Sequence, residues 1–142
     1  MAHIEHSIRI DAPPDVVWSV MAEVERWPEW AASIRRVEPL DGATIAAGRR
    51  YRIAARGVPP AIWRVTELDE GRSFHWATTS GIRITAGHAI EADGSRSKVM
   101  LSIATRGVLA ALFGPPIALL SRRNMRLEAE GLKRRSEERA RA

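Results

Sequence analysis

Two polar side chains in this sequence occupy positions where they could act on a bound molecule. His88 lies between Ala86 and Ile90 on the apolar side of an alternating run, and an imidazole can take up or release a proton near neutral pH. Asn124 stands on the apolar face of a helical pattern, where a leucine would be expected. A buried polar group without a partner costs roughly 1–3 kcal/mol, so each needs a backbone group, a water or a ligand. His88 and Asn124 therefore either are satisfied inside a core or orient a ligand in a pocket.

The sequence lacks the motifs of other common catalytic and cofactor-binding sites. The chain has no cysteine, which excludes disulfides and thiolate chemistry, and it has no Gly-x-Ser-x-Gly, Gly-x-Gly-x-x-Gly or Gly-Lys-Ser/Thr loop. Glu67 is the one acid that a strand pattern could turn inward, so paired carboxylates are not indicated. His6 and His88 are not part of a His-x₃-His pattern and have no third close ligand in the sequence. The sequence therefore predicts no metal and no cofactor.

Composition is that of a single soluble domain spanning residues 1–142. The chain is 45% hydrophobic and 27% charged, and its length allows a sizeable core without metals or disulfides. It contains no apolar run long enough to span a membrane, and its first residues do not form a signal peptide pattern. We therefore expect a cytoplasmic protein, either a monomer or a homodimer.

The net charge of +5 is concentrated at the C-terminus. Residues 121–142 hold eight basic residues and four glutamates, which gives 8 − 4 = +4. Such a segment could form a surface for nucleic acid or for an anionic membrane. Because the glutamates alternate with the arginines, we favour a solvated helix face and do not expect nucleic acid as the partner.

The longest predicted element is a C-terminal helical segment over residues 107–139. An apolar lead-in precedes a break at residues 114–116, Gly-Pro-Pro, which we interpret as a kink rather than a gate. The helix itself is expected from Pro116 to Arg139, about 36 Å at ~1.5 Å per residue. A 3-4-3 spacing puts four side chains on one face of this helix: Ile117, Leu120, Asn124 and Leu127.

Short alternating runs before this segment predict strands in the order β-αα-β₆-α. Pro28 separates two short helices, the second ending near Ala32, and their tryptophans are expected to pack the helices together. The strand over Ile82–Ile90 alternates most regularly, whereas both faces of Ile62–Leu68 contain an apolar residue and a charge. Asp93-Gly94 predicts a hairpin turn. The simplest arrangement is one sheet curved around one long helix.

Several of these segments resemble a known family. Ile10-Asp-Ala-Pro-Pro-Asp-Val-Val-Trp18, followed by Val24-Glu-Arg-Trp-Pro-Glu-Trp30, is similar to the opening of the polyketide cyclase/dehydrase and lipid-transport family of the START/Bet v 1-like (SRPBCC) superfamily. Trp63-Arg-Val-Thr-Glu67, the Asp93-Gly94 hairpin and Gly107-Val-Leu-Ala-Ala-Leu112 extend the resemblance over nearly the whole chain. It implies an α+β helix-grip fold, in which a curved seven-stranded antiparallel sheet surrounds a long C-terminal helix, with two short helices after the first strand.

The resemblance also implies a cavity for hydrophobic ligands between the sheet and the C-terminal helix. From the strand alternation and the helix face, we expect its lining to include the following residues: Tyr51, Trp63, Phe74, Trp76, Ile84, His88, Leu101, Phe113, Leu120 and Asn124. His6 is a further inward candidate of lower rank. The helix-grip order implied by the resemblance puts one strand between those of His6 and His88, about 10 Å at ~4.8 Å per strand, which is too far for a shared metal. The alternative is that these side chains meet and fill the core.

Three functions remain open, because members of this family include cyclases, lipid and hormone carriers, quinone-binding proteins and a ribosome-associated toxin. We favour binding or transport of a small hydrophobic or aromatic ligand, oriented by Asn124 and His88. The second is an aromatase/cyclase-type enzyme in which His88, with Tyr51, moves protons. The third is a ribosome-, RNA- or protein-interaction module that uses the basic helix end.

Overall fold

A seven-stranded antiparallel sheet and a long C-terminal helix make up most of the protein. The computed structural model describes residues 2–106 and 114–142, with side chains for 3–106 and 119–142. The strands are β1 (Ala2–Ile10), β2 (Ile34–Pro39), β3 (Arg50–Ala55), β4 (Ala61–Asp69), β5 (Ser73–Thr78), β6 (Arg83–Asp93) and β7 (Arg96–Arg106). The helices are α1 (Pro14–Met21), a 3₁₀ helix (Val24–Glu29) and α2 (Gly114–Arg141).

The strand order is β1-β7-β6-β5-β4-β3-β2, which confirms the predicted helix-grip arrangement. Strands β2 to β7 follow one another as hairpins, and β7 returns to pair with β1. His6 of β1 and His88 of β6 both pair with Leu101 of β7, so one strand separates them as expected. The β3–β4 turn, the β5–β6 turn and the end of β7 consequently lie at one end of the sheet.

A β-bulge explains why the pattern of β4 was ambiguous. Val65 pairs with Trp76, but the next pair is Glu67 with His75, so Thr66 is an extra residue. Before the bulge the buried Val65 faces inward, and after it the inward position passes to Leu68. Glu67 is consequently exposed on the outer face, where its carboxylate lies 3.6 Å from His75 Nδ1. The inward position considered for Glu67 is therefore wrong.

The second short helix differs from the expectation in position and in type. It is a 3₁₀ helix that begins at Val24 and contains Pro28, rather than a helix that follows Pro28 to about Ala32. Proline's fixed φ is compatible with 3₁₀ geometry, so Pro28 does not interrupt so short an element. The indole of Trp27 is turned inward, and its N–H donates a 2.9 Å hydrogen bond to the Met21 carbonyl.

The buried face of α2 is shifted by one residue from the predicted face. Met125, Ala129, Leu132 and Ser136 are buried, whereas Leu120, Asn124 and Leu127 are only partly buried. The shift arises because the C-terminal half of α2 packs on β1 and α1. The side chain of Ile117 and the apolar lead-in over residues 107–113 lie outside the described residues.

Ion pairs join the C-terminal half of α2 to the short helices. Arg135 contacts Glu29 at 3.0 Å, and Arg139 contacts Glu23 at 2.8 Å. Partial burial would raise the pKa of Glu137, but hydrogen bonds from Lys133 and the Asp11 amide hold this pKa below its ordinary value. Lys133 and Glu137 thus pair within the helix, the kind of pair that the sequence predicted, whereas Arg135 and Arg139 bridge to other elements.

Gly131 lets α2 approach the segment that follows the 3₁₀ helix. A Cβ at this position would overlap the carbonyl oxygen of Trp30. Arg134 donates a 3.2 Å hydrogen bond to the same oxygen. The glycine is therefore required by contact between two backbones and not by a turn.

Replacing Gly131 with alanine should destabilise the protein. In an unconstrained helix, replacing glycine with alanine stabilises the folded protein by about 0.5–1 kcal/mol. Here we expect the free energy of unfolding, measured in urea, to fall by about 1–3 kcal/mol, because the helix must move away from Trp30. Glu130→Ala, at the exposed neighbouring position, is the control and should change stability by less than about 0.5 kcal/mol. An unchanged or raised stability of Gly131→Ala would contradict this account of the contact.

Candidate functional site

His88 lies inside a cluster of aromatic rings on the inner face of the sheet. Its imidazole stacks on Phe74 of the neighbouring strand, with ring centroids 4.1 Å apart and planes 8° from parallel. The rings of Trp27 and Trp76 approach it at 5.4 Å and 5.5 Å. His88 is only 4% exposed, so its orientation is fixed by packing on several sides.

Glu128 of α2 is the polar partner of His88. Its Oε1 lies 3.4 Å from His88 Nε2, and its side chain is 16% exposed. The two groups form an ion pair whenever the imidazole is protonated. Sequence reasoning placed Glu128 on the solvated face, although it follows Leu120 and Asn124 at intervals of four residues and so lies on the same helical row.

The other ring nitrogen of His88 is buried without a hydrogen-bond partner in the described part of the chain. If Nε2 carries the proton of a neutral imidazole toward Glu128, Nδ1 is left as an acceptor. A buried acceptor without a partner is unfavourable by about 1–3 kcal/mol, and histidines with a structural role are normally paired at both nitrogens. The arrangement favours a functional role for the pair over simple core filling.

The residues predicted to line a cavity fall into two groups. Those around His88 are close-packed: Tyr51, Phe74, Trp76 and Leu101 are 0–4% exposed. Those that retain accessible surface are Trp63, Ile84, Leu120 and Asn124. Phe113 lies outside the described residues, and His6 is partly buried on the edge strand β1. The first group thus forms a packed aromatic floor around His88, whereas the second group and Glu128 retain accessible surface.

Tyr51 does not meet His88 directly. Trp76 lies between them, with its ring 6.1 Å from that of Tyr51 and 5.5 Å from that of His88. The Tyr51 hydroxyl donates a 3.3 Å hydrogen bond to the Ala43 carbonyl. Burial raises the pKa of Tyr51 above its ordinary 10.0, and the negative charge of Glu25 raises it further. Tyr51 and His88, which the sequence suggested as a pair of proton carriers, are thus separated by Trp76. Each has an acidic residue nearby, Glu25 for Tyr51 and Glu128 for His88.

The described residues contain no group of three or more His, Asp or Glu side chains able to share a metal ion. Within the same part of the chain, no helix is long and apolar enough to cross a membrane.

Neutralising Glu25 should lower the pKa of Tyr51. Tyr51 is the only tyrosine of the chain, so its ionisation can be followed by ultraviolet absorbance without overlap from another tyrosine. In Glu25→Gln the pKa should move toward 10.0 but stay above it, because the effect of burial remains. Glu29→Gln, on the same 3₁₀ helix, is the control and should leave the pKa unchanged.

The same shift has a consequence for stability. Because the folded state holds the Tyr51 proton more tightly than the unfolded state, the stabilisation is present below pH 10.0 and is lost as pH rises above it. A wild-type Tyr51 that titrates at 10.0, or a pKa indifferent to Glu25→Gln, would refute this assignment.

Solved structures with the same arrangement include two aromatase/cyclases. The Zhui aromatase/cyclase from Streptomyces sp. R1128 superposes with a TM-score of 0.82 at 20% identity, covering 99% of this chain and 96% of that one. The di-domain ARO/CYC BexL gives 0.76 at 26% identity, with 96% of this chain matching 47% of the longer protein. A START superfamily protein from Mycobacterium smegmatis gives 0.73 at 15% identity, covering 96% and 97% of the two chains.

A comparison with curated protein sequences gave no match. A sequence profile of the family described as polyketide cyclase/dehydrase and lipid transport matches residues 1–137. This match covers the strands, both short helices and nearly all of α2, and it agrees with the fold and with the structural relatives. The chain therefore belongs to the polyketide cyclase/dehydrase and lipid transport family.

Proposed function

We propose that this protein binds a hydrophobic, ring-forming molecule between the sheet and α2, and that Glu128 and His88 promote its cyclisation or dehydration. The observation that carries the proposal is the contact between a nearly buried imidazole and a carboxylate inside an aromatic cluster. Apolar walls with a few convergent polar groups are typical of small-molecule sites. The aromatase/cyclase relatives support the same reaction class.

Glu128 is the member of the pair that can reach a ligand. Its side chain is 16% exposed, against 4% for His88, and it shares a helical row with Leu120 and Asn124. Trp63 of β4, which packs against Trp76, and Ile84, which is on the same face of β6 as His88, also retain accessible surface. We therefore assign contact with the substrate to Glu128 and a supporting position to His88.

Ring closure of a poly-β-ketone needs the groups that this pair supplies. The Glu128 carboxylate takes a proton from a methylene between two carbonyls, and the resulting enolate carbon attacks another carbonyl to form the carbon–carbon bond. The alkoxide formed on that carbonyl takes this proton from the Glu128 carboxylic acid, which restores the carboxylate. The new hydroxyl then leaves as water together with a proton from the adjacent carbon, and this forms a double bond in the ring. His88, whose Nε2 lies 3.4 Å from Glu128 Oε1, holds the carboxylate in position for this transfer. The Asn124 amide, one turn away, is placed to donate a hydrogen bond to a substrate carbonyl.

A carrier without catalytic activity is the second candidate, and the packing of His88 favours it. His88 is held by Phe74, Trp27 and Trp76, so it cannot turn toward a ligand without disturbing the core. In a carrier, the His88–Glu128 pair would only orient the ligand. Binding and turnover must therefore be measured separately.

Glu128→Gln should abolish turnover and preserve binding. We expect cyclisation of a synthetic poly-β-ketone, followed by its ultraviolet spectrum, to slow by about 100-fold or more, since general acid–base catalysis contributes roughly 10²–10⁴-fold. The affinity for the aromatic product, measured by calorimetry, should change by less than about threefold, because glutamine keeps the shape of the side chain. Glu130→Gln, two residues away on the exposed face, should behave as the wild type.

Native mass spectrometry of the purified protein tests the binding step on its own. A stoichiometric apolar passenger, or binding to a panel of polyketides, quinones, sterols and fatty acids, is expected. Binding without turnover in the wild type would refute catalysis and leave the carrier function. An empty protein that binds no member of the panel would refute both.

A further inference from the structure

Two exposed apolar side chains belong to elements that touch at one end of the sheet. Three large hydrophobic residues are exposed in the described part of the chain: Val58 (42%), Met100 (38%) and Leu119 (71%). Val58 belongs to the β3–β4 turn, and Leu119 to the early part of α2. These elements touch, because a Cβ on Gly57 would lie 3.2 Å from the Leu120 side chain. Val58 and Leu119 therefore project from neighbouring elements.

The same end of the molecule is rich in arginine and has no acid. The segments 54–62, 79–84, 104–106 and 119–126, which we call the turn end, contain the following arginines: Arg56, Arg83, Arg106, Arg122, Arg123 and Arg126. None of them forms an ion pair with an acid in the described residues, in contrast to Arg135 and Arg139 farther along α2.

One pair of these arginines opposes folding. Arg83 and Arg106 face each other directly across β6 and β7, and like charges in directly opposite positions destabilise a sheet. Both side chains are exposed. An external anion would relieve this repulsion, whereas nothing in the described sheet does so.

We infer that the turn end docks on the surface of an anionic lipid bilayer. Arginines attract phosphate-bearing headgroups, and the apolar tips of Val58 and Leu119 can enter the boundary between headgroups and acyl chains. A nucleic acid would use the arginines but would leave a 71% exposed leucine in water. Trp63, Ile84 and Leu120, which retain accessible surface on the inner side, lie toward this same end, so a docked protein would present its ligand site to the bilayer. The docking surface does not depend on whether Glu128 is catalytic.

Co-sedimentation with vesicles tests the inference on the full chain. The wild type should bind vesicles of phosphatidylcholine mixed with phosphatidylglycerol, and bind phosphatidylcholine alone far more weakly. Binding should weaken with salt, since the Debye length falls to about 8 Å at physiological ionic strength. Arg122→Ser/Arg123→Ser should reduce the partition coefficient about 25-fold, at about fivefold per charge removed. Leu119→Ser should reduce it as well, with the salt dependence retained.

Two matched variants serve as controls. Met100→Ser removes an exposed apolar side chain from the outer face of the sheet, and Arg72→Ser removes an exposed arginine from the β4–β5 turn at the opposite end. Both should bind vesicles like the wild type. Equal losses in these controls, or no wild-type binding to anionic vesicles, would overturn the inference. Tighter binding to a single-stranded RNA oligonucleotide, insensitive to Leu119→Ser, would overturn it in favour of nucleic acid.

Discussion

The contact between Gly131 and the Trp30 carbonyl fixes how α2 crosses the sheet. A side chain at position 131 would push the helix away, and Arg134 ties the same carbonyl to the next helical turn. Glu128 lies one turn before Gly131, so this contact also determines where its carboxylate is held relative to His88. The geometry of the candidate site thus depends on a backbone contact outside it. The ion pairs of the C-terminal half contribute at most about 1 kcal/mol each to stability, because they are exposed. Their main effect is therefore to hold α2 in position.

The aromatic floor sets the electrostatic conditions of the His88–Glu128 pair. Phe74, Trp27 and Trp76 exclude water from the imidazole, which strengthens its interaction with the carboxylate. The same exclusion makes the unpaired Nδ1 unfavourable. A protein that needed only a filled core at this position would be more stable with an apolar residue there. The polar pair is therefore better explained by the proposed function than by its contribution to folding.

The fold could be predicted from the sequence because its signals are local. Alternation with a period of two identified the strands, and the apolar and charged pattern after Pro116 identified the long helix. The predictions that were wrong concern local geometry that depends on tertiary contacts. The bulge at Thr66 reverses the facing of β4, and Pro28 is accommodated within a 3₁₀ helix. The buried face of α2 moved by one residue, from the row of Asn124 to that of Met125, because contacts with β1 and α1 determine it.

The candidate site was predicted in part, and the missing half has a physical reason. His88 was identified because a polar residue on an apolar strand face is visible in a single alternating run. Its partner Glu128 is 40 residues away in sequence and lies among other glutamates. The helical row that it shares with Leu120 and Asn124 separates it from Glu130, but only the packing of α2 on the sheet brings that row to His88. Glu25 and Tyr51 are likewise brought together by packing alone. A pattern shows that a polar group is buried, but its partner is chosen by the distance between elements. Chemistry that depends on two polar side chains in contact is therefore difficult to predict from a single sequence.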